Sequence, residues 1–189
     1  MNKNNLELIS IIIPCFNSGE TLERTINSVH NQTWKNKEIV LVNDGSSDKY
    51  TLDIIKKLKD NLYIKVLNQE NLGLPSARNN GANYATGNFL YFIDSDDWLE
   101  LDALELMYQF YKLNNQDGFV FSDIIIEGKI NKIIKKEYNF FEQLFLNQLP
   151  YSILISKDNW IKNGGYDEKM KLGYEDWEFN IRLGCNNQF

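Results

Sequence analysis

Residues 8–14 read Leu-Ile-Ser-Ile-Ile-Ile-Pro, and the turn Cys-Phe-Asn follows at residues 15–17. A nearly unbroken run of β-branched residues is typical of a strand that is covered on both faces, as in a parallel sheet. Residues 21–32 come next, with Leu22, Ile26 and Val29 spaced at i, i+4 and i+7. This spacing predicts a helix, so the chain begins with a buried strand followed by a helix.

The same alternation continues along the chain. Further strands are predicted over residues 38–43, 63–67, 89–93 and 119–126, and further helices over residues 48–59, 75–84 and 102–113. The helix over 48–59 is expected to bury Leu52, Ile55 and Leu58, and the strand over 119–126 is apolar enough for a central position. The pattern predicts an α/β fold with a mostly parallel central sheet and helices on both faces.

The pattern loosens after Gly128. Residues 129–136 alternate Ile with Lys and Asn, as an edge strand or a hairpin arm does, and residues 139–146 predict a short aromatic helix. The remaining elements are a strand over 151–156, a short helix over 157–163 closed by two glycines, and a helix over 175–183.

The composition indicates one ordinary globular domain. The chain has 189 residues, of which 43% are hydrophobic and 24% are charged, which suffices for a core without disulfides. Its net charge is -6 and it has no basic run, so nucleic acid is not an expected partner. The two cysteines lack metal-site spacing, which favours a reducing compartment. No signal peptide or spanning segment is recognised, so a cytoplasmic location is expected, with contact at the inner face of the membrane left open.

Three of the turns that follow predicted strands are unusually polar. They are Pro-Cys-Phe-Asn at residues 14–17, Asn-Asp-Gly-Ser-Ser-Asp at residues 43–48, and Asp-Ser-Asp-Asp at residues 94–97. Ligands of open α/β sheets bind beyond the carboxyl ends of the strands. The three turns are therefore expected to open on one rim and to form the functional site.

The acidic turn at residues 94–97 has the strongest chemical signal. Three carboxylates in four residues repel one another unless a cation or a donor group lies among them. Mg²⁺ and Mn²⁺ are held by one or two carboxylates and complete their coordination with phosphates and water, so the turn suggests a metal site. The alternative is that Asp96 or Asp97 caps the following helix.

Other polar groups also have two interpretations. Asp44 could accept hydrogen bonds from a planar heterocycle, or it could belong to an ordinary turn before a helix cap. Arg78 and Asn79 could clamp a phosphate or a base, or form a surface pair. The acids at residues 175–176 could supply a general base toward a hydroxyl, or could pair with the helix dipole.

Five short motifs occur in a fixed order. They are Ser-Ile-Ile-Ile-Pro-Cys-Phe-Asn at 10–17, Asn-Asp-Gly-Ser-Ser-Asp at 43–48, Asn-Leu-Gly-Leu-Pro-Ser-Ala-Arg-Asn at 71–79, Asp-Ser-Asp-Asp at 94–97, and Gly-Tyr-Asp at 165–167 leading to Glu-Asp at 175–176. Together they resemble family 2 glycosyltransferases of the GT-A fold. The resemblance implies a single domain over residues 1–189, with a nucleotide-sugar-binding half over 1–100 and a partial acceptor-side half over 101–189.

The resemblance also implies roles for individual residues. Those expected to bind the nucleotide are Pro14, Asn17, Asp44, Arg78, Asp94 and Ser95. Asp44 matches the position that reads the uracil ring. Asp94 and Asp96 match the DxD motif, in which the first acid commonly approaches the ribose and the second binds the metal on the diphosphate. Asp96 and Asp94 are the expected metal ligands. Asp176 matches the catalytic base, and Glu175 is expected to help orient the acceptor or donor sugar.

The implied activity is a metal-dependent, inverting transfer from a nucleotide-sugar, by family habit a UDP-sugar. Mn²⁺ or Mg²⁺ is expected to stabilise the diphosphate leaving group while Asp176 deprotonates the attacking hydroxyl. The expected acceptor is a glycan or a lipid-linked sugar, as in surface polysaccharide synthesis.

Two rival interpretations are less favoured by the sequence. Family members usually continue past the Glu-Asp helix, so the chain is expected to be a truncated domain, and a catalytically incomplete nucleotide-sugar-binding fragment or partner subunit is the alternative. A phosphatase of the haloacid dehalogenase type also places Asp-x-Asp at a strand end. Its motif opens the fold and continues with Gly-Thr, whereas Asp97 and Trp98 follow here.

Overall fold

The computed structural model describes residues 7–59, 63–114, 118–128 and 131–187. Its strands are β1 Ile9–Cys15, β2 Lys37–Asp44, β3 Ile64–Gln69, β4 Phe89–Phe92, β5 Phe119–Phe121, β6 Ile124–Ile126, β7 Lys132–Ile134 and β8 Ile153–Ser156. Its helices are α1 Gly19–His30, α2 Lys49–Leu58, α3 Leu74–Tyr84, α4 Ala103–Leu113, α5 Phe140–Gln143, α6 Lys157–Lys162 and α7 Glu175–Asn187.

Six strands form one central sheet in the order β3-β2-β1-β4-β8-β5. The β1–β2, β2–β3 and β1–β4 pairs are parallel, and β8 runs antiparallel to both β4 and β5. The predicted α/β class with a mostly parallel sheet is confirmed. Because Tyr91 near the end of β4 pairs with Leu154 near the start of β8, the beginning of β8 lies at the rim where the parallel strands end.

The sheet is covered on both faces. Ile11 and Ile13 of β1 pack into a cluster with side chains of α1, α2 and α4, whereas Ile12 packs into a second cluster with side chains of α3, α6 and α7. Successive side chains of a strand point to opposite faces, so β1 must be apolar at consecutive positions. This explains the unbroken apolar run from which the buried strand was predicted.

The prediction of a single central strand over residues 119–126 is wrong. The segment forms two short strands, β5 at one edge of the main sheet and β6 in a separate antiparallel pair with β7. The polar pair Ser122 and Asp123 separates them, and the Asp123 carboxylate accepts a hydrogen bond from the backbone N–H of Lys136. The hairpin predicted over 129–136 is confirmed for β7, and residues 129 and 130 lie outside the described residues.

The buried face predicted for α2 is partly wrong. The helix buries Thr51, Ile54 and Ile55, whereas Leu52 is 40% exposed. Thr51 belongs to the inner face because its hydroxyl accepts a hydrogen bond from the backbone N–H of Gly19 at 2.7 Å, which fixes α2 to the start of α1. None of the helices within the described ranges is long and apolar enough to cross a bilayer.

Candidate functional site

The three polar turns meet at one rim of the sheet, around a pocket of about 470 Å³. Pro14, Asp44, Asp94, Ser95 and Asp96, all predicted site residues, line this pocket. We call it the nucleotide pocket because most of these residues are expected to bind a nucleotide. The remaining predicted site residues have protein partners that connect the pocket to the rest of the fold.

Asp44 anchors the loop that leads into α3. Its Oδ1 accepts hydrogen bonds from Gln69 Nε2 and from the backbone N–H of Leu72, both at 2.8 Å, and its Oδ2 accepts one from the backbone N–H of Gly73 at 3.0 Å. A carboxylate offers about four acceptor positions, and three are filled by the protein. Asp44 therefore shapes the pocket wall and keeps capacity for about one further donor.

Asn17 joins the first polar turn to the second. Its backbone takes the left-handed conformation, with φ of 50°, and its side-chain oxygen accepts hydrogen bonds from the backbone N–H groups of Ser47 and Asp48. Asn tolerates this conformation better than most residues. Asp48 in turn caps α2 through hydrogen bonds from the N–H groups of Tyr50 and Thr51, so the cap predicted within this turn is confirmed at Asp48.

The acidic turn is not a helix cap. Asp96 and Asp97 are exposed and precede α4, which begins at Ala103 after Asp102 at the N-cap position. The turn closes through a hydrogen bond from Asp97 N–H to the Asp94 carbonyl at 3.2 Å. The alternative in which Asp96 or Asp97 caps the following helix is therefore wrong.

A buried arginine connects the acidic turn to the Glu-Asp motif. Arg78 on α3 is 1% exposed, and it donates from Nη2 to Asp94 Oδ1 at 2.7 Å and from Nη1 to Glu175 Oε1 at 2.5 Å. Burial raises the pKa of Asp94 and the nearby carboxylate of Asp96 adds to this, while Arg78 opposes it. Burial alone would lower the pKa of Arg78, but Asp94 and Glu175 outweigh it and raise this pKa, so the guanidinium stays charged.

Arg78 and Asn79 are not a surface pair, because both are buried. Asn79 donates from Nδ2 to the Tyr166 carbonyl and accepts from the Tyr166 N–H, both at 2.9 Å. These two bonds hold the Gly-Tyr-Asp motif against α3. Both terminal nitrogens of Arg78 bind carboxylates of the chain. The contact of Arg78 with the nucleotide stays a prediction.

The two acids of α7 lie in different environments. Glu175 is buried against Arg78, whereas Asp176 is half-buried. The Asp176 carboxylate accepts hydrogen bonds from the backbone N–H of Trp177 at 2.8 Å and from Asn147 Nδ2 at 3.3 Å. Of the two, Asp176 is the more accessible to a bound hydroxyl group.

Tyr151 is a site residue that the sequence analysis did not find. Its hydroxyl donates a hydrogen bond to Asp97 Oδ2 and accepts one from the backbone N–H of Asp94 at 3.1 Å. Burial, together with the charges of Asp94 and Asp97, raises the pKa of Tyr151. Residues that follow parallel strands reach the rim, whereas Tyr151 precedes the antiparallel strand β8, so only the sheet topology brings it there.

A second pocket of about 480 Å³ lies on the other side of the acidic turn. Asp97, Trp98 and Tyr151 form the part next to the turn, and side chains of α4 and of the β6–β7 hairpin, among them Leu106 and Ile133, form the rest. The acidic turn thus separates a polar pocket from a more apolar one.

The residues at the acidic turn fit a divalent cation that also binds phosphate. Asp94 and Asp96 come from one turn and both line the nucleotide pocket. Nowhere in the described part of the chain do three His, Cys, Asp or Glu side chains come together as a cluster that could hold a metal ion. Mg²⁺ and Mn²⁺ commonly use only one or two carboxylates when substrate phosphates complete their coordination, which matches this donor set.

Comparison with known proteins finds relatives of one protein family. The family model of glycosyl transferase family 2 matches residues 10–167. The chain is 38% identical over 133 residues to the poly(ribitol-phosphate) beta-N-acetylglucosaminyltransferase TarP of Staphylococcus aureus, covering 69% of this chain and 40% of TarP. The chain thus spans well under half the length of this relative.

Two solved structures share the fold. S. aureus TarS 1-349 in complex with UDP-GlcNAc has a TM-score of 0.79 at 23% identity, covering 96% of this chain and 54% of that one. The mannosyltransferase PcManGT from Pyrobaculum calidifontis, in complex with GDP-Man and Mn²⁺, has a TM-score of 0.74 at 16% identity, covering 97% and 54%. The expected GT-A fold is confirmed.

Proposed function

Because the chain belongs to glycosyl transferase family 2, we propose that it transfers a sugar from a UDP-sugar to a hydroxyl group of a glycan or lipid-linked acceptor. One observation carries this proposal. The Asp44 turn and the acidic turn share one pocket, and buried Arg78 connects the acidic turn to the acids at the start of α7. The groups proposed for nucleotide binding therefore lie around one pocket, and Arg78 links Asp94 to Glu175, the neighbour of Asp176 in the chain.

The nucleotide pocket is proposed to hold UDP, with Pro14, Asn17, Asp44, Arg78, Asp94 and Ser95 as the binding residues. The remaining acceptor capacity of Asp44 suits one ring N–H of uracil. TarS, a protein of the same fold, binds UDP-GlcNAc, which supports UDP as the nucleotide. Residues 1–100 would then form the nucleotide-sugar-binding half and residues 101–189 part of the acceptor side.

Asp94 and Asp96 would hold the metal, Mn²⁺ or Mg²⁺. A bound cation supplies charge neutralisation to the diphosphate leaving group. The PcManGT complex with Mn²⁺ supports this choice of metal, and Arg78 fixes the orientation of the Asp94 carboxylate. The second aspartate, Asp96, is exposed and faces the pocket.

Asp176 is proposed as the general base. A carboxylate in hydrogen-bond reach of the attacking hydroxyl would take its proton as the hydroxyl attacks the anomeric carbon from the side opposite the diphosphate. A single displacement of this kind inverts the anomeric configuration. Glu175 orients this end of α7 through its bond to Arg78, and its predicted contact with the acceptor or donor sugar belongs to the same proposal.

The acceptor is proposed from the relative and from the second pocket. TarP acts on poly(ribitol-phosphate), and the apolar pocket beside Asp97 offers a surface for the non-sugar part of a lipid-linked acceptor. A cytoplasmic location, with the acceptor presented at the inner face of the membrane, belongs to the same proposal.

A transfer assay tests the proposed function. The purified chain is incubated with UDP-sugars, Mn²⁺ and a set of glycan acceptors that includes poly(ribitol-phosphate), and the anomeric configuration of the product is read by NMR. We expect an inverted product, and we expect Asp176→Asn to abolish transfer while leaving UDP affinity within about twofold of the unaltered chain, because the base does not contact the nucleotide.

Asp158→Asn is the matched control. Asp158 is an exposed acid in the first turn of α6, so this variant should keep full transfer activity. Retained transfer in Asp176→Asn would contradict the assignment of the base. UDP binding without transfer to any acceptor would favour a nucleotide-sugar-binding fragment or partner subunit over an enzyme.

A further inference from the structure

Tyr151 makes three contacts with the charged centre of the site. Its hydroxyl donates to Asp97 Oδ2 and accepts from the backbone N–H of Asp94, and its ring lies 5.0 Å from the Arg78 guanidinium carbon. One side chain therefore contacts both ends of the acidic turn and the arginine that holds Asp94.

The acids of the turn line two different pockets, and the Tyr151 hydroxyl forms hydrogen bonds with residues of both groups. Asp97, which Tyr151 binds, lines the second pocket, whereas Asp94 and Asp96 line the nucleotide pocket. Neighbouring carboxylates repel one another, so a turn with three of them needs a donor that fixes where each one points. The Tyr151 hydroxyl is such a donor, and its second bond fixes the backbone at Asp94.

We infer that Tyr151 is a positioning residue that holds Asp97 out of the nucleotide pocket and leaves Asp94 and Asp96 as the pair that binds the metal–nucleotide complex. This inference rests on the proposed function. It adds a residue that contributes to nucleotide-sugar binding through the shape of the acidic turn and not through contact with the nucleotide-sugar.

The contacts make a specific prediction for Tyr151→Phe. The variant keeps the ring beside Arg78 and loses only the hydroxyl, so Asp97 is no longer bound and the Asp94 N–H loses its acceptor. The lost hydrogen bond to the charged Asp97 helps to hold the turn in the shape that binds the metal and the nucleotide. We therefore expect the affinity for UDP with Mn²⁺ to fall by about five- to tenfold. The affinity for UDP in EDTA should stay within about twofold, because the contacts of the pocket with the uridine are unchanged.

Tyr91→Phe is the matched control. Tyr91 lies on β4, the strand that leads into the acidic turn, is 1% exposed, and has a hydroxyl that hydrogen-bonds Ser152 and not an acid of the turn. Its loss removes a buried hydroxyl of the same kind beside the same strand. We expect Tyr91→Phe to lower thermal stability without changing the effect of Mn²⁺ on UDP affinity.

The experiment is calorimetric titration with UDP, with Mn²⁺ and with EDTA, on the unaltered chain, Tyr151→Phe, Tyr91→Phe, Asp97→Ala and the Tyr151→Phe/Asp97→Ala double variant. If Tyr151 acts through Asp97, the loss caused by Tyr151→Phe should be smaller in the Asp97→Ala background. A loss of equal size in both backgrounds, or none in either, would overturn the inference.

A second measurement does not depend on UDP. Hydrogen exchange read by mass spectrometry should show faster exchange at Asp94 in Tyr151→Phe than in Tyr91→Phe, and equal rates would overturn the inference.

If the unaltered chain shows UDP binding that depends on Mn²⁺ but Tyr151→Phe does not differ from it, only the role of Tyr151 fails. If the unaltered chain shows no such binding, the proposed metal site fails, and the role of Tyr151 fails with it.

Discussion

Arg78 shows how one residue can connect two motifs that lie far apart in the sequence. Its guanidinium is buried, and burying a charge is costly unless it is paired and hydrogen-bonded. Asp94, in the acidic turn, and Glu175, in α7, pair with its two terminal nitrogens. The planar group with its fork of N–H donors suits two carboxylates at once, whereas a lysine ammonium is a single point charge.

We therefore expect Arg78→Lys to destabilise the fold by about 3 kcal/mol, because breaking a buried ion pair leaves a charge without its partner. Urea unfolding measures the change. Arg24→Lys is the matched control, since Arg24 pairs with Glu127 at the surface, where both side chains are about half exposed, and its loss should cost less than about 1 kcal/mol. Equal effects of the two changes would contradict the account of Arg78.

At the scale of elements, Glu38 joins three strands at the end of the sheet opposite the site. Its carboxylate accepts hydrogen bonds from the Ser10 hydroxyl and the Thr86 N–H, both at 2.6 Å, and pairs with Lys65 at 2.5 Å. Burial alone would raise the pKa of Glu38, but these partners outweigh it and lower the pKa from 4.5 to about 2. The folded state thus favours the charged form.

A pKa that is lower in the folded state makes stability depend on pH in a defined direction. The contribution of Glu38 to the free energy of unfolding is complete above about pH 4.5 and is lost as the pH falls towards about 2. We expect Glu38→Gln to be less stable than the unaltered chain by about 2 kcal/mol at pH 7, and the difference to shrink over that acidic range. Urea unfolding from pH 7 to 2 measures this. Glu23→Gln, at an exposed position on α1, is the control, and its stability should differ little from that of the unaltered chain at every pH. A stability difference for Glu38→Gln that does not change with pH would contradict this role of Glu38.

The segment between α6 and α7 depends on Gly165. Its φ is +66°, and a Cβ there would lie 2.6 Å from the Trp160 ring and 2.8 Å from Asn79 Oδ1, the atom that accepts from Tyr166. Gly165→Ala should therefore lower the free energy of unfolding by about 2 kcal/mol. Gly128→Ala is the control, since Gly128 also has a positive φ but has no atom within 4 Å of the added Cβ. Chemical denaturation of both variants measures the difference, and equal losses would show that the contacts with Trp160 and Asn79 do not matter.

At the scale of the whole molecule, local patterns explain most of the first half of the chain. The elements from β1 to α4 follow runs of apolar residues and helical spacing, so their order could be predicted from the sequence. The two short strands within 119–126 could not, because an apolar run does not show where the chain leaves one sheet for another.

The candidate site could also be predicted only in part from the sequence. The three polar turns could be predicted because each follows a strand and parallel strands end at one rim. The contact of Arg78 with Glu175 joins residues 97 positions apart, and that of Tyr151 with Asp97 joins residues 54 positions apart. Both depend on tertiary packing, the second on the antiparallel direction of β8, which no local pattern encodes.

The proposed function requires that the rim of the sheet bind a nucleoside diphosphate together with a metal ion. Calorimetric titration of the purified chain with UDP, once with Mn²⁺ and once with EDTA, tests it most directly. We expect UDP to bind at least about tenfold more tightly with Mn²⁺ than with EDTA, and we expect Asp96→Asn to abolish this difference. Equal affinity under both conditions, or no binding under either, would contradict it.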